Sequence, residues 1–161
     1  RIPKVQLICL TQSLDMALVE TAIIARVNGY LLKHEVRWHI AWAIAYALKH
    51  EFVVTNTVAR RCAHLFSSHV LNPSQLPPAK IYSELTDRIE QALRLCVIEG
   101  MPAHLAAHEM GISLHTIRGY IKEGYRILES YDESDYPTDM TPQERAFMRF
   151  TALDFDADVH P

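Results

Sequence analysis

The chain has 161 residues, 49% of them apolar and 22% charged, with a formal net charge of −3. That is apolar material for one ordinary domain or two small ones, and too much for a disordered chain. No uninterrupted apolar run approaches the roughly 20 residues that span a bilayer, and RIPKVQLICL lacks the layout of a secretory signal. Along the chain, Val5–Leu10 is a short apolar run and predicts a strand buried on both faces, as in a parallel sheet. Because the first residue is Arg1 and not Met, a strand so near the start is expected of a chain that begins inside a larger protein. Leu14, Ala17, Leu18, Thr21, Ile24 and Ala25 follow at helical spacing, and Asn28-Gly29 ends that helix. Tyr30-Leu31-Leu32 predicts a second strand, and a long helix is expected over 36–50. Strand, helix, strand, helix within about 50 residues is the arithmetic of an α/β unit. A further helix is expected near 55–69, and Ser67–Pro78, with its paired prolines, reads as a linker. From Tyr82 onward the pattern is helical.

The stretch Leu85–Glu129 is the most informative. A helix over about 86–98 ends at Gly100, Pro102 opens a short helix to about Met110, and Gly111-Ile112-Ser113 makes a tight turn. Ser113 then N-caps a third helix to about Leu128. Gly111 suits the turn because a left-handed backbone costs a residue with a Cβ roughly 1–2 kcal/mol. Ala107, Met110, Ile117 and Ile121 supply the shared core, with Ile112 pinning the two helices. This is helix-turn-helix spacing, which lays the third helix in a DNA major groove. Arg118, Lys122 and Arg126 recur at four-residue intervals along it, a pattern suited to phosphate attraction. The segment is not basic overall, so a three-helix bundle with another partner stays open. Farther on, Thr141, Pro142 and Glu144 form a capping-box helix start, with a helix expected over 141–153.

Leu85-Thr86, Gly100, Ala107, Gly111-Ile112-Ser113, Thr116-Ile117-Arg118 and Leu128 resemble the DNA-binding domain of the NarL/LuxR family. They are also similar to the fourth region of bacterial sigma factors. The N-terminal stretch separates the two: Leu7-Ile8-Cys9-Leu10-Thr11, a helix, then Gly29-Tyr30-Leu31-Leu32-Lys33 resembles the second half of a response-regulator receiver domain. The resemblance implies a flavodoxin-like α/β receiver remnant (1–52), a helix and Pro-rich linker (53–84), an all-α LuxR-type helix-turn-helix domain (85–154) and an acidic tail (155–161). It implies a DNA-binding transcription regulator of the two-component type. Thr11, Tyr30 and Lys33 would form its phosphorylation switch, with Lys33 pairing the phosphoryl charge and Thr11 reaching a phosphoryl oxygen. Residues 113–126 would be the recognition helix. Arg118, Gly119 and Lys122 fall where the family makes its groove and phosphate contacts, and Ser113, His115 and Thr116 lie at the helix start. Gly119 lets the backbone come near DNA and forgoes a side-chain contact to a base.

The acidic pair and the phosphoacceptor aspartate of a receiver have no counterpart in this sequence. No cofactor is therefore expected in this segment, and Mg2+ would enter only with a receiver half that carries those acids. The partners implied are double-stranded DNA, a second copy of the chain in a homodimer, and a sensor histidine kinase. A membrane is not among them. Trp38, Trp42 and Tyr46 recur at four-residue spacing and predict an interface stripe, with a wider core as the plainer reading. Cys9, Cys62 and Cys96 are scattered and lack CxxC spacing, so neither a disulfide framework nor a cysteine zinc site is expected, and a reducing cytoplasm is. His104 and His108, four apart, and Cys62, His64 and His69 lack evident further ligands for a metal. With no nucleophile triad, phosphate loop or paired catalytic carboxylates, the chain is not expected to be an enzyme. The competing reading is a sigma-like or stand-alone helix-turn-helix regulator that contacts RNA polymerase or another protein without phosphorylation.

Overall fold

The first apolar run becomes a strand, β1 (Ile8–Thr11), in a computed structural model that describes residues 5–131 and 134–155. Helix α1 (Met16–Ile24) follows, its first amides at Ala17 and Leu18 donating to the Asp15 carboxylate at 2.9 and 3.2 Å. Strand β2 (Gly29–Leu32) then pairs parallel to β1, with Cys9 opposite Tyr30 and Thr11 opposite Leu32. The expected long helix is broken. It becomes α2 (Lys33–Val36), a 3-10 turn at Arg37–His39 and α3 (Ile40–Ala47), with Arg37 at the break in a left-handed conformation (φ 48°). The backbone at Arg37 leaves the helical region and interrupts the ladder of main-chain hydrogen bonds, while Glu35 just before it accepts from the Thr57 amide and hydroxyl.

Two further strands were not expected, one just before the helix expected near 55–69 and one inside the expected linker. Strand β3 (Val53–Val54) and strand β4 (Ser74–Gln75), separated by α4 (Asn56–Arg61) and α5 (Ala63–Ser68), extend a four-stranded parallel sheet in the order β1-β2-β3-β4. β2 is therefore central and fully buried. One face carries α1, α4 and α5, through Val19, Ala22, Val58, Cys62 and Phe66 on Tyr30, Leu32 and Val54. The other carries α3, through Ala43 and Ala47 on Leu31 and Val53. The strands advance in one direction while the connecting helices change face, so the three crossovers cannot all share the usual right hand.

Two sequence expectations fail here. β1 is an edge strand and not a buried one: Leu10 is 38% exposed, and Leu7 and Val5 before it are more so. On α1 the buried positions are Val19 and Ala22, whereas Ala17, Leu18, Thr21, Ile24 and Ala25 are exposed. MALVETAII is apolar almost all round, so its periodicity does not select a face.

Residues 80–152 form the second unit, all helical. α6 (Asp87–Leu93) is capped by Thr86 and runs into a π-type turn at Arg94–Ile98. α7 (Ala103–Met110) ends at Gly111 (φ 66°), and α8 (Leu114–Ser130) begins at the Ser113 cap. Ala106, Ala107, Met110 and Ile117 pack with Ala92, Leu95 and Cys96, with Ile112 and Ile121 at the margin of that cluster. α9 (Pro142–Phe150) starts with the expected capping box of Thr141 and Glu144. It packs through Ala146 on a cluster holding Ile89, Leu93, Ile127 and Leu128. The acidic stretch 132–139 is described only from residue 134, and of the tail 155–161 only Phe155 is described. Among the described residues no helix is long and apolar enough to cross a membrane.

Candidate functional site

α8 is strongly two-faced. Ile117, Gly124, Ile127 and Leu128 are buried, while His115, Arg118, Gly119, Lys122 and Arg126 lie on the exposed side. Its start is fixed by Ser113, whose hydroxyl oxygen accepts from the Thr116 amide at 3.0 Å and lies 2.8 Å from the Thr116 hydroxyl. Ser113 and Thr116 are thus engaged in capping, and they set where the rest of the face begins. The three basic residues are not equivalent. Arg126 donates Nε to both Glu123 carboxylate oxygens at 3.1 Å and Nη2 to one of them at 2.7 Å, with Glu84 3.9 Å away. The hydrogen bond from Arg126 holds the Glu123 carboxyl below its ordinary range, and the same bond raises the guanidinium. Arg118 and Lys122 have no ion pair or hydrogen bond to their side chains among the described residues. Two cations one turn apart are therefore available to a partner, and the third is largely neutralised by its neighbour. The Arg126–Glu123 pair was legible as an i,i+3 spacing but was missed.

In the α/β unit the register brings Thr11 and Lys33 to the same end of two adjacent parallel strands. The Thr11 hydroxyl donates to the Ser13 carbonyl at 3.1 Å, and Lys33 is exposed at the first position of α2. Tyr30 is fully buried within β2, and its hydroxyl has no hydrogen-bond partner among the described residues. Two further groups at this end of the sheet were not anticipated. The buried Thr55 hydroxyl accepts from the Leu32 amide at 3.3 Å, and Glu35 accepts from the Thr57 hydroxyl at 2.6 Å and amide at 3.1 Å. Burial opposes the Glu35 charge, but hydrogen bonds from Thr57 and Thr55 and the nearby His34 outweigh it, so its carboxyl titrates below its ordinary value. Asp15, the acid nearest Thr11 in sequence, is occupied in capping α1.

The aromatic stripe is divided. Trp38 lies in the 3-10 turn, under the Arg37 guanidinium at 4.7 Å. Trp42 and Tyr46 are half-buried on the α3 face of the sheet, each with its ring centroid 6.0 Å from that of Phe155. The chain itself thus covers part of these two rings. His104 and His108 are exposed on α7, and among the described residues no three His, Cys, Asp or Glu side chains gather as a metal site. No protein-family model matches this chain, and no curated protein matches it as a relative.

Proposed function

We propose that this chain is a DNA-binding transcription regulator whose helical unit grips duplex DNA through the exposed face of α8. The observation that carries the reading is the pair Arg118 and Lys122, exposed and unpaired on a capped helix whose opposite face is buried. α7, the Gly111 turn and α8 have the order and turn length of a helix-turn-helix, in which the second helix enters the major groove. His115 at the helix start and Gly119 between the cations complete the face, while Arg126 supplies less charge than its position promised. In a homodimer two such faces would meet two half-sites, and phosphate attraction would add across them.

The α/β unit fits a receiver-type signalling module of a cytoplasmic two-component system, with a sensor histidine kinase as its phosphate source. Thr11 and Lys33 share one end of the parallel sheet, where ligands of open α/β sheets bind. The bare edge of β1, with Leu10 exposed, is where further strands of such a sheet would pair. A regulator that works without phosphate is the second reading, since Asp15, the acid nearest Thr11 in sequence, is engaged as the cap of α1.

The test is a salt titration of duplex binding by the whole chain. The reading expects affinity to fall steeply and linearly on logarithmic axes, by about 0.9 in slope for each phosphate neutralised. Binding to RNA polymerase or another protein, with no retention of duplex at low salt, would overturn it.

A further inference from the structure

Two glycines interrupt α8, and only one is explained by the fold. A Cβ at Gly124 would lie 2.9 Å from the buried Leu93 side chain, so the packing of α6 on α8 excludes one. A Cβ at Gly119 would meet nothing within 4 Å, and its backbone is ordinary helix. Glycine in mid-helix is among the worst helix formers, so Gly119 weakens α8 without serving its packing. That points to a demand from outside the fold. The surroundings indicate which. Gly119 opens onto a groove of about 520 Å³ between α8 and α9, whose walls also carry Lys122, Arg126, Pro142 and Arg145. Its two acids are already answered: Glu123 by Arg126, and Glu129 by Arg149 at 3.8 Å. Arg145 spends Nη1 on the Met140 carbonyl at 2.6 Å, which leaves its other guanidinium donors for a partner.

We propose that this groove seats one strand of the duplex, with its sugar-phosphate backbone closest to α8 at Gly119. Arg145 of α9 is then a phosphate contact outside the helix-turn-helix itself. The inference rests on the DNA-binding reading above and gives α9 a part in it. A residue without a side chain reads no base edge, so Gly119 contributes closeness of approach and no base contact.

The experiment enriches a duplex of about 20 base pairs from a randomised pool with the wild-type chain. It then compares Gly119→Ala and Arg145→Gln on that duplex and on an unselected one, with thermal melts of each protein. Gly119→Ala is expected to melt higher, by about 4–8 °C in a unit of this size. Its affinity for the enriched duplex is expected to fall roughly tenfold, the size of one lost base-pair match. Arg145→Gln is expected to weaken both duplexes severalfold and to make the salt slope shallower by about 0.9. Either variant binding as the wild type does, or Arg145→Gln losing affinity at an unchanged slope, overturns the proposal while leaving the DNA-binding reading intact. A wild-type chain that enriches no duplex removes that reading, and this inference with it.

Discussion

Thr86, Ser113 and Thr141 each cap a helix of the second unit with a side-chain hydrogen bond; among the described residues of the first unit only α1, through Asp15, is capped this way. The left-handed residues divide in the same manner. In the helical unit they are Gly100 and Gly111, which adopt that conformation freely, whereas in the α/β unit they are Arg26, Arg37 and Val70. Each of those three costs roughly 1–2 kcal/mol of backbone strain. The α/β unit also buries the unpartnered Tyr30 hydroxyl and leaves an apolar strand edge open. One unit is stabilised by local chemistry at nearly every joint. The other depends on contacts distant in sequence and carries these costs with no local remedy.

Both tryptophans lie in the α/β unit, so fluorescence reports on it, whereas helical circular dichroism weights the second unit. Gly124→Val drives a branched side chain into Leu93 and should cost the helical unit about 2–3 kcal/mol in urea unfolding. The fluorescence midpoint should stay where it was; a shared shift would mean the two units do not unfold separately. Tyr30→Phe removes the orphan hydroxyl and should stabilise the α/β unit by about 1 kcal/mol, seen as a later fluorescence midpoint. A lower midpoint would show that the hydroxyl has a partner in solution. Thr141→Ala should destabilise α9 by about 1 kcal/mol, read by dichroism, because both halves of the capping box are lost.

The smallest effect is a pH dependence in the α/β unit. The Glu35 carboxyl is lowered by folding, so its stabilisation is present above the ordinary carboxylate range. It is lost as the pH falls through the lowered value. Glu35→Gln should therefore lower stability at neutral pH and flatten this acid limb of the fluorescence midpoint. An unchanged limb would free α2 from its anchor on Thr57.

The same division governs what could be read in advance. In the helical unit each boundary has a short-range cause: Gly111 for the turn, Ser113 for the cap, Thr141-Pro142-Glu144 for the last helix. Gly124 was opaque because its partner Leu93 lies on another helix. In the α/β unit Val53-Val54 is too short to stand out as a strand, and its pairing with Gly29 and Tyr30 spans more than twenty residues. The break at Arg37 carries no glycine or proline to announce it, and the inward side of α1 is chosen by the sheet and not by its own pattern. Of the candidate site, the exposed face of α8 was legible from helical spacing. The Arg126–Glu123 pairing was open to the same spacing argument, whereas the burial of Tyr30 was not, because it depends on strands and helices far away in sequence.

The central claim is that Arg118 and Lys122 are the cations with which this chain holds a duplex. The direct measurement is affinity for an enriched duplex at moderate salt, for the wild type and for Arg118→Ala combined with Lys122→Ala. The account predicts a loss of about a hundredfold or more with helical dichroism unchanged, since each contact to base or phosphate contributes roughly 1–3 kcal/mol. A double variant that folds and binds as tightly as the wild type would contradict it.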